Sequence, residues 1–482
     1  MLTPRFSLSQ DDRFLFVTIY APFTHIDKTE VFMDENEFRF FSKPYYLRIH
    51  LPGPVIENEK ASASWDSDTN SFNVKCPKLN EGEVFTGLDM LTDLLTPKGS
   101  RNAQSKIEVL PGGEDDDEEE EEEEEDWYFE QKLPVEEEVS CKKTDDVGYG
   151  FAFRHTAVYS SLLSELGEIL DIKDPDGLSQ SERDNSRAEL ELRDFDSDHY
   201  LCDLHESAAE IESCLSSLPP FHHCIEGPVD LSQPVVVKEA APGLAFSPGE
   251  QELLLALPRR PQSVPGEVLA SVHYGLVDIL YGYCFTLRVL GEDCVEAGWC
   301  CAKVSASLSG VARFRSARQV VISAIRRSLC YPLYRHYGLA RLVWSDVIAL
   351  LRVGKPALLK SLLALIPIFN NYSGHYIFNQ LYINDYSVWI QTSHQSHLDA
   401  LANVLHRTLE NVKKRDIGLE LEELEEAAEL TLKEAEEEEK VDKISQVLNR
   451  VKVRDTDSDD TDSDTDSDSD DSSSRSELSD DK

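Results

Sequence analysis

Leu329-Cys330-Tyr331-Pro332-Leu333-Tyr334-Arg335-His336 and, further on, Asp385-Tyr386-Ser387-Val388-Trp389-Ile390-Gln391 are two aromatic clusters at either end of one helical stretch. Between them the apolar residues recur at helical spacing over Arg341 to Val353, Lys355 to Phe369 and Gln380 to Gln391, with hardly any acid. Tyr, Trp and Arg packed this densely mark either a helical core, where rings are buried and polar tips stay wet, or a binding surface. For any one of these residues taken alone, the core is the commoner place.

On either side, the helical pattern extends from about Phe151 to Glu434. Val158, Leu162, Leu163, Leu166, Ile169 and Leu170 form one stripe that Asp174-Pro175-Asp176-Gly177 ends. Leu190, Leu201, Leu204 and Ile211 mark one or two further helices. Ser247-Pro248-Gly249-Glu250 reads as a capping box, with Ser at the N-cap, Pro at the first helical position and Glu reaching back. Val268 to Leu290, Val295 to Leu308, Phe314 to Leu329 and Leu398 to Leu409 continue the series. In Gly418 to Glu434 a thin stripe of Leu419, Leu421, Leu424 and Leu432 lies beside many glutamates, so that helix is mostly a solvated face. Residues 218–246, broken by Pro228, Pro234 and Pro242, read as an inserted loop.

Residues 1–96 read as β. Phe14-Leu15-Phe16-Val17-Thr18-Ile19-Tyr20 is β-branched and aromatic, which fits a strand covered on both faces, and strands follow at Glu37 to Phe41, Tyr45 to Leu51, Ser62 to Trp65 and Phe72 to Cys76. Turn residues between them imply a small sandwich.

The formal net charge of the 482 residues is -44, and its distribution separates folded from unfolded chain. Glu114–Glu138 carries -16, Asp416–Lys440 -10 and Asp455–Lys482 -11, whereas Val264–Arg415 carries +7. The unbroken run Glu114–Asp126 lies within a linker, residues 97–147, that cannot bury enough apolar surface to offset the entropy of ordering it. It is either a solubilising spacer or a shield for a basic partner surface, since adjacent acids approximate the charge density of a nucleic-acid strand. The remainder, residues 435–482, reads as a disordered acidic tail ending in alternating Asp and Ser or Thr, a pattern suited to an acid-directed kinase.

Several function classes are excluded. Ten cysteines without framework spacing indicate a reducing compartment, and no run suits a signal peptide or a membrane span, so the protein is expected to be soluble and intracellular. There is no Gly-x-Gly-x-x-Gly, Walker-type lysine, His-Glu-x-x-His or Gly-x-Ser-x-Gly, so an enzyme is not expected. His222-His223-Cys224 with Cys214, and the pair His394 and His397, match no zinc spacing; no metal or other cofactor is expected.

Leu2–Asp11, the run Phe38–Arg48 and Phe85–Leu91 resemble a CS domain of the α-crystallin-like class. Ile169–Asp176, Asp198–Leu201, Cys330–His336, Leu381–Gln391 and Gly418–Glu425 resemble the helical domain of the SHQ-type assembly chaperones of H/ACA ribonucleoproteins. Nothing in the loop 218–246 matches. The resemblance implies a multidomain chain: an all-β CS sandwich, an acidic disordered linker, an all-α domain over 148–434 and an acidic tail. It further implies a chaperone that holds free dyskerin, the pseudouridine synthase of H/ACA particles, on its RNA-binding side, and is later removed by an AAA-ATPase-containing remodelling complex. Small nucleolar, Cajal-body and telomerase particles depend on that supply. It places the protein, as a monomer, in nucleoplasm and cytosol, although Lys413-Lys414-Arg415 is too short for a nuclear signal. A placeholder of this kind needs a rigid scaffold, aromatic and Arg anchors, and acid that competes with phosphate. Tyr331, Tyr334, Arg335, His336, Tyr382, Asp385, Tyr386 and Trp389 are the candidate anchors. Two rivals stand beside this reading. One is a generic CS adaptor for a chaperone ATPase; the other is a direct RNA binder using Arg313, Arg315, Arg318, Arg326 and Arg327, against which the acidic excess weighs.

Overall fold

The computed structural model describes residues 1–95, 131, 133, 148–166, 169–205, 209–227, 231–238, 242–372 and 374–454. The N-terminal part is a sandwich of two antiparallel sheets. One has the order β1 (Arg5–Gln10), β2 (Phe14–Tyr20), β7 (Ser71–Pro77), β6 (Ser62–Asp66); the other runs β3 (Glu30–Asp34), β4 (Glu37–Ser42), β5 (Tyr45–His50). Alternation on β2 sends Leu15, Val17 and Ile19 into the core with Phe38, Phe40, Leu47, Ile49, Phe72 and Val74. The opposite face of β2 is half-buried rather than covered, because Phe14 lies under the Lys75 ammonium, 3.7 Å from the ring centroid, at the sheet surface. β1 and β3 were not legible as strands because both are edge strands, largely polar or solvent-facing. A short helix, α1 (Leu91–Leu95), ends this domain.

The acidic linker lies outside the described residues except for Gln131 and Leu133. The Gln131 amide pairs with the backbone of Arg48 on β5, accepting at 2.9 Å and donating at 3.1 Å, and Leu133 packs on the sandwich core.

The helical domain comprises α2 (Val158–Leu166), α3 (Gln180–Asp194), α4 (Ser197–His205), α5 (Ala209–Ser216), α6 (Pro248–Ala256), α7 (Gly266–Val289), α8 (Ala297–Val304), α9 (Ala317–Cys330), α10 (Tyr337–Val353), α11 (Lys355–Asn371), α12 (Asn384–Thr392) and α13 (Gln395–Asn411). Helix α7 is apolar nearly all round and is the central core helix, flanked by α8, α9 and α10. It is long and apolar enough to cross a bilayer by composition, but its surface is spent on protein contacts. Gly282 lets α8 approach closely: a Cβ there would stand 2.6 Å from the Cys301 carbonyl oxygen. The capping box at Ser247 forms as the sequence implies, with Glu250 N–H donating to Ser247 Oγ and Ser247 N–H donating to Glu250.

The described residues of 218–246 form more than a loop. A 3-10 turn over Pro220–Cys224 buries Phe221 and Cys224, and Ile225 bridges to Val237. Beneath it, Asp346 on α10 receives the Arg288 guanidinium and pairs with His222 Nε2 at 2.9 Å, while Arg288 also donates to the carbonyl oxygens of Cys214 and Ser217. A charged cluster therefore fastens a segment too poor in periodic apolar residues to be read from its pattern.

The sandwich and the helical domain form one unit through Leu421. Phe23 N–H donates to Gln380 Oε1 at 2.6 Å, the Gln380 amide donates to Thr24 O at 2.9 Å, His25 Nε2 pairs with Asn370 O at 2.8 Å, and the Asn370 amide donates to Asp27. Gln380 sits in a π-helical turn, Asn379–Ile383, leading into α12.

Helix α14 (Leu421–Arg454) is a further unit. The assignment of 435–482 to a disordered tail is therefore corrected for 435–454, which are helical. The cause is local: Glu429–Lys433, Glu436–Lys440 and Glu439–Lys443 are ion pairs at i,i+4, with the acid on the N-terminal side. Residues 455–482 lie outside the described residues.

Candidate protein-binding surface

The two aromatic clusters that bracket the central stretch have different fates. Tyr382, Asp385, Tyr386 and Trp389 are buried. The Tyr386 hydroxyl donates to Val272 O at 2.9 Å, which Gly275 permits, since a Cβ there would meet that hydroxyl at 2.7 Å. The Trp389 indole packs edge-on against His273, centroids 5.0 Å apart, and the Tyr386 ring against Phe151 at 4.9 Å. Asp385 accepts from the Gln262 amide at 2.6 Å; burial raises its carboxyl above the ordinary range, opposed by Arg260 and Arg154. Burial likewise pushes the Tyr382 phenol up to about 12. These four residues are therefore withdrawn as anchors in this conformation: their faces are filled by the domain's own core, as the helical spacing allowed from the start.

The first cluster lies in the turn between α9 and α10 and is only partly buried. Leu333 is 60% exposed, and Tyr334, Arg335 and His336 are partly exposed. The turn is held at both ends. At one, Tyr331 lies against Arg327 (4.8 Å to the ring centroid) and Pro332 is buried. At the other, His336 caps α10, its Nδ1 accepting from Leu339 N–H at 3.1 Å, and burial lowers the imidazole pKa, so the capping nitrogen stays free to accept near neutral pH. Arg335 N–H donates to Asp203 on α4 at 2.6 Å. An exposed leucine, a tyrosine and an arginine on a fixed turn make the composition of a binding hot spot, already ordered before a partner arrives.

Arg327, one of five candidate arginines for RNA, is removed from that set. It is fully buried and donates to Asp171 Oδ2 (2.7 Å), Glu191 Oε1 (3.1 Å), Ser309 Oγ (2.8 Å) and Lys303 O (2.8 Å). Burial alone would raise the Asp171 carboxyl, but Arg327 and Lys303 outweigh it and hold the pKa down to about 2. Nothing in the spacing of the arginines separates this structural one from its neighbours on α9; the signal lay in Asp171 and Glu191, distant in sequence. His222 likewise serves the Asp346 cluster, and no group of three or more His, Cys, Asp or Glu among the described residues is placed to hold a metal.

Comparison with known proteins covers both domains. A family described as "SHQ1 protein, Shq1 domain" matches residues 236–421, and "SHQ1-like, CS domain" matches residues 3–95. "Protein SHQ1 homolog" of Danio rerio is 37% identical over 439 residues, 90% of this chain and 72% of the relative. The Mus musculus protein of the same name is 37% identical over 438 residues, 90% of this chain and 76% of its own length. "Protein shq1" of Schizosaccharomyces pombe is 29% identical over 462 residues, covering 91% and 99%.

Proposed function

The chain belongs to the SHQ1 family, chaperones rather than enzymes that serve the assembly of H/ACA ribonucleoproteins, and from that premise we propose that it binds a free dyskerin-type pseudouridine synthase through its helical domain. The synthase is held on the surface that later takes guide RNA, which keeps it from aggregating and from loading RNA early. The observation that carries this reading is the α9–α10 turn. Leu333 stands exposed, with Tyr334 and Arg335 half-buried beside it, on a helical body whose other aromatic cluster is sealed inside. A rigid body with an ordered apolar and cationic turn loses little entropy on docking. The acidic segments of the chain, -16 over Glu114–Glu138 alone, repel RNA from the complex by charge. Release falls to an AAA-ATPase-containing complex, in nucleoplasm and cytosol, and the protein acts as a monomer in supplying small nucleolar, Cajal-body and telomerase particles.

The test is co-purification of the full chain and of its Leu333→Asp/Tyr334→Ala variant with a dyskerin-type synthase. Truncating a hot-spot aromatic and charging its apolar neighbour costs at least about 2 kcal/mol, a loss of roughly 30-fold in affinity. Undiminished binding by the variant moves the interface elsewhere, with the CS sandwich next in line.

A further inference from the structure

The sheet β3–β4–β5 turns one face into the sandwich core and the other outward. Strand register sets two rows on that outer face, Phe32, Arg39 and Arg48 in one and Glu30, Phe41 and Tyr46 in the next. Phe32 is 45% exposed, Arg39 is exposed, and Phe41, Tyr46 and Arg48 are half-buried. Glu37 Oε1 stands 2.6 Å from Arg39 Nε and 2.8 Å from Arg48 Nε, which fixes both guanidiniums on the sheet. The Arg39 guanidinium in turn covers the Phe32 ring, 4.8 Å from its centroid. Planar cations and aromatic rings held in one layer are the composition that receives further aromatic side chains.

We propose that this outer face is the docking surface for two aromatic side chains of the same protein, Trp127 and Phe129 of the sequence Trp127-Tyr128-Phe129-Glu130-Gln131-Lys132-Leu133. The chain leaves the sandwich at α1, which packs on β5 with Leu94 and Leu95 buried in the core, and it is back on β5 at Gln131. There the Gln131 amide takes the place of a neighbouring strand's peptide group on Arg48, and Leu133 meets the sandwich core. Side chains two apart lie on one side of an extended segment, so Phe129 and Trp127 continue the side that Gln131 and Leu133 turn to the sandwich. From Gln131 the chain reaches roughly 7 Å to Phe129 and roughly 14 Å to Trp127. Strands about 4.8 Å apart put Phe32 only about 10 Å from Arg48, within that reach. Gln131 also delivers the two rings at an effective concentration on the order of millimolar or more, an advantage that a partner arriving from solution lacks. Docking fixes the end of the acidic run beside the sandwich, and any protein that would use this face has first to displace the chain's own rings.

The experiment reads acrylamide quenching of tryptophan fluorescence on the full chain and on Trp127→Phe, whose difference isolates Trp127. A peptide of residues 127–133 gives the undocked reference. The expected result is quenching of Trp127 about fivefold or more weaker in the full chain than in the peptide, brought to the peptide value by Phe32→Ser together with Arg39→Ser. Both of those side chains are exposed, and an unchanged melting temperature checks that the sandwich stays folded. Gln131→Ala, which leaves the sheet untouched, should raise the quenching as well. Peptide-like quenching of Trp127 in the full chain overturns the proposal, as does protection that the sheet substitutions and Gln131→Ala leave unchanged. Protection that disappears on dilution, with a dimer seen by light scattering, gives the face to a second copy of the chain and overturns it too.

Discussion

Replacing Arg327 with Met tests the electrostatic core directly. The side chain is fully buried and holds two carboxylates, Asp171 and Glu191, together with Ser309 and the Lys303 carbonyl. Methionine fills the volume but leaves the carboxylates behind, and breaking a buried pair from one side costs about 3–5 kcal/mol. Partial compensation exists: Lys303 Nζ remains 2.5 Å from Asp171, and Arg187 and Arg326 remain near Glu191 at 3.8 Å. The loss should therefore fall near the lower end, about 3 kcal/mol, or roughly 6–12 °C in melting temperature for a domain of this size. The pH dependence supplies a second readout. Asp171 has its folded-state pKa depressed to about 2, so its contribution is fully present above the unfolded-state value near 3.8 and is lost as pH falls through about 2. In Arg327→Met that acid-side loss should shrink, because Asp171 is no longer held down by the guanidinium. Urea unfolding followed by tryptophan fluorescence between pH 7 and pH 2 measures both. A variant within about 1 kcal/mol of the native protein at pH 7 refutes the argument that the cluster carries the α9 junction. Neutralising the stranded acids as well, with Asp171→Asn and Glu191→Gln, should recover much of the loss.

Three further outcomes follow from separate parts of the fold. Tyr386→Phe removes the hydrogen bond to Val272 and should cost about 1 kcal/mol of stability while leaving partner affinity unchanged, the reverse of Tyr334→Ala, in paired melting and binding measurements. Burial, then the charges of Arg260 and Arg154, lower His155 to about 4; the unfolded chain takes up that proton first, so stability should fall by up to about 3 kcal/mol from pH 6.5 down to pH 4 and level off below, and His155→Gln should flatten that limb in calorimetry. Ser247→Ala, which deletes one half of the capping box on α6, should destabilise by about 1 kcal/mol in urea titration, and Ser247→Thr should not.

What the sequence made legible follows from how local each signal is. The Ser247 capping box, the strand β2 and the long apolar pattern of α7 are decided within a few residues, and each forms where expected, although β2 alternates instead of being covered on both faces. Edge strands β1 and β3 bury too little to show a period, and the 3-10 turn at Pro220–Cys224 is held by Asp346 and Arg288, far away in the chain. The α14 extension past Glu434 rests on glutamate–lysine pairs that a count of acids alone had classed with disorder. The candidate surface was half legible. Composition marked both aromatic clusters equally, and only packing separates Tyr386 and Trp389, enclosed by Phe151 and His273, from the exposed Leu333 and the half-buried Tyr334. Arg327 illustrates the same limit, since an arginine on a helix looks identical in sequence whether it meets solvent or Asp171.

The helical domain is proposed to occupy the RNA-binding side of its client. The most direct measurement is competition: the full chain bound to a dyskerin-type pseudouridine synthase is titrated with labelled H/ACA guide RNA at several salt concentrations, and complexes are resolved by size. Mutually exclusive binding is predicted, with RNA entering only as the chaperone leaves. A stable complex containing synthase, RNA and this chain together would contradict it.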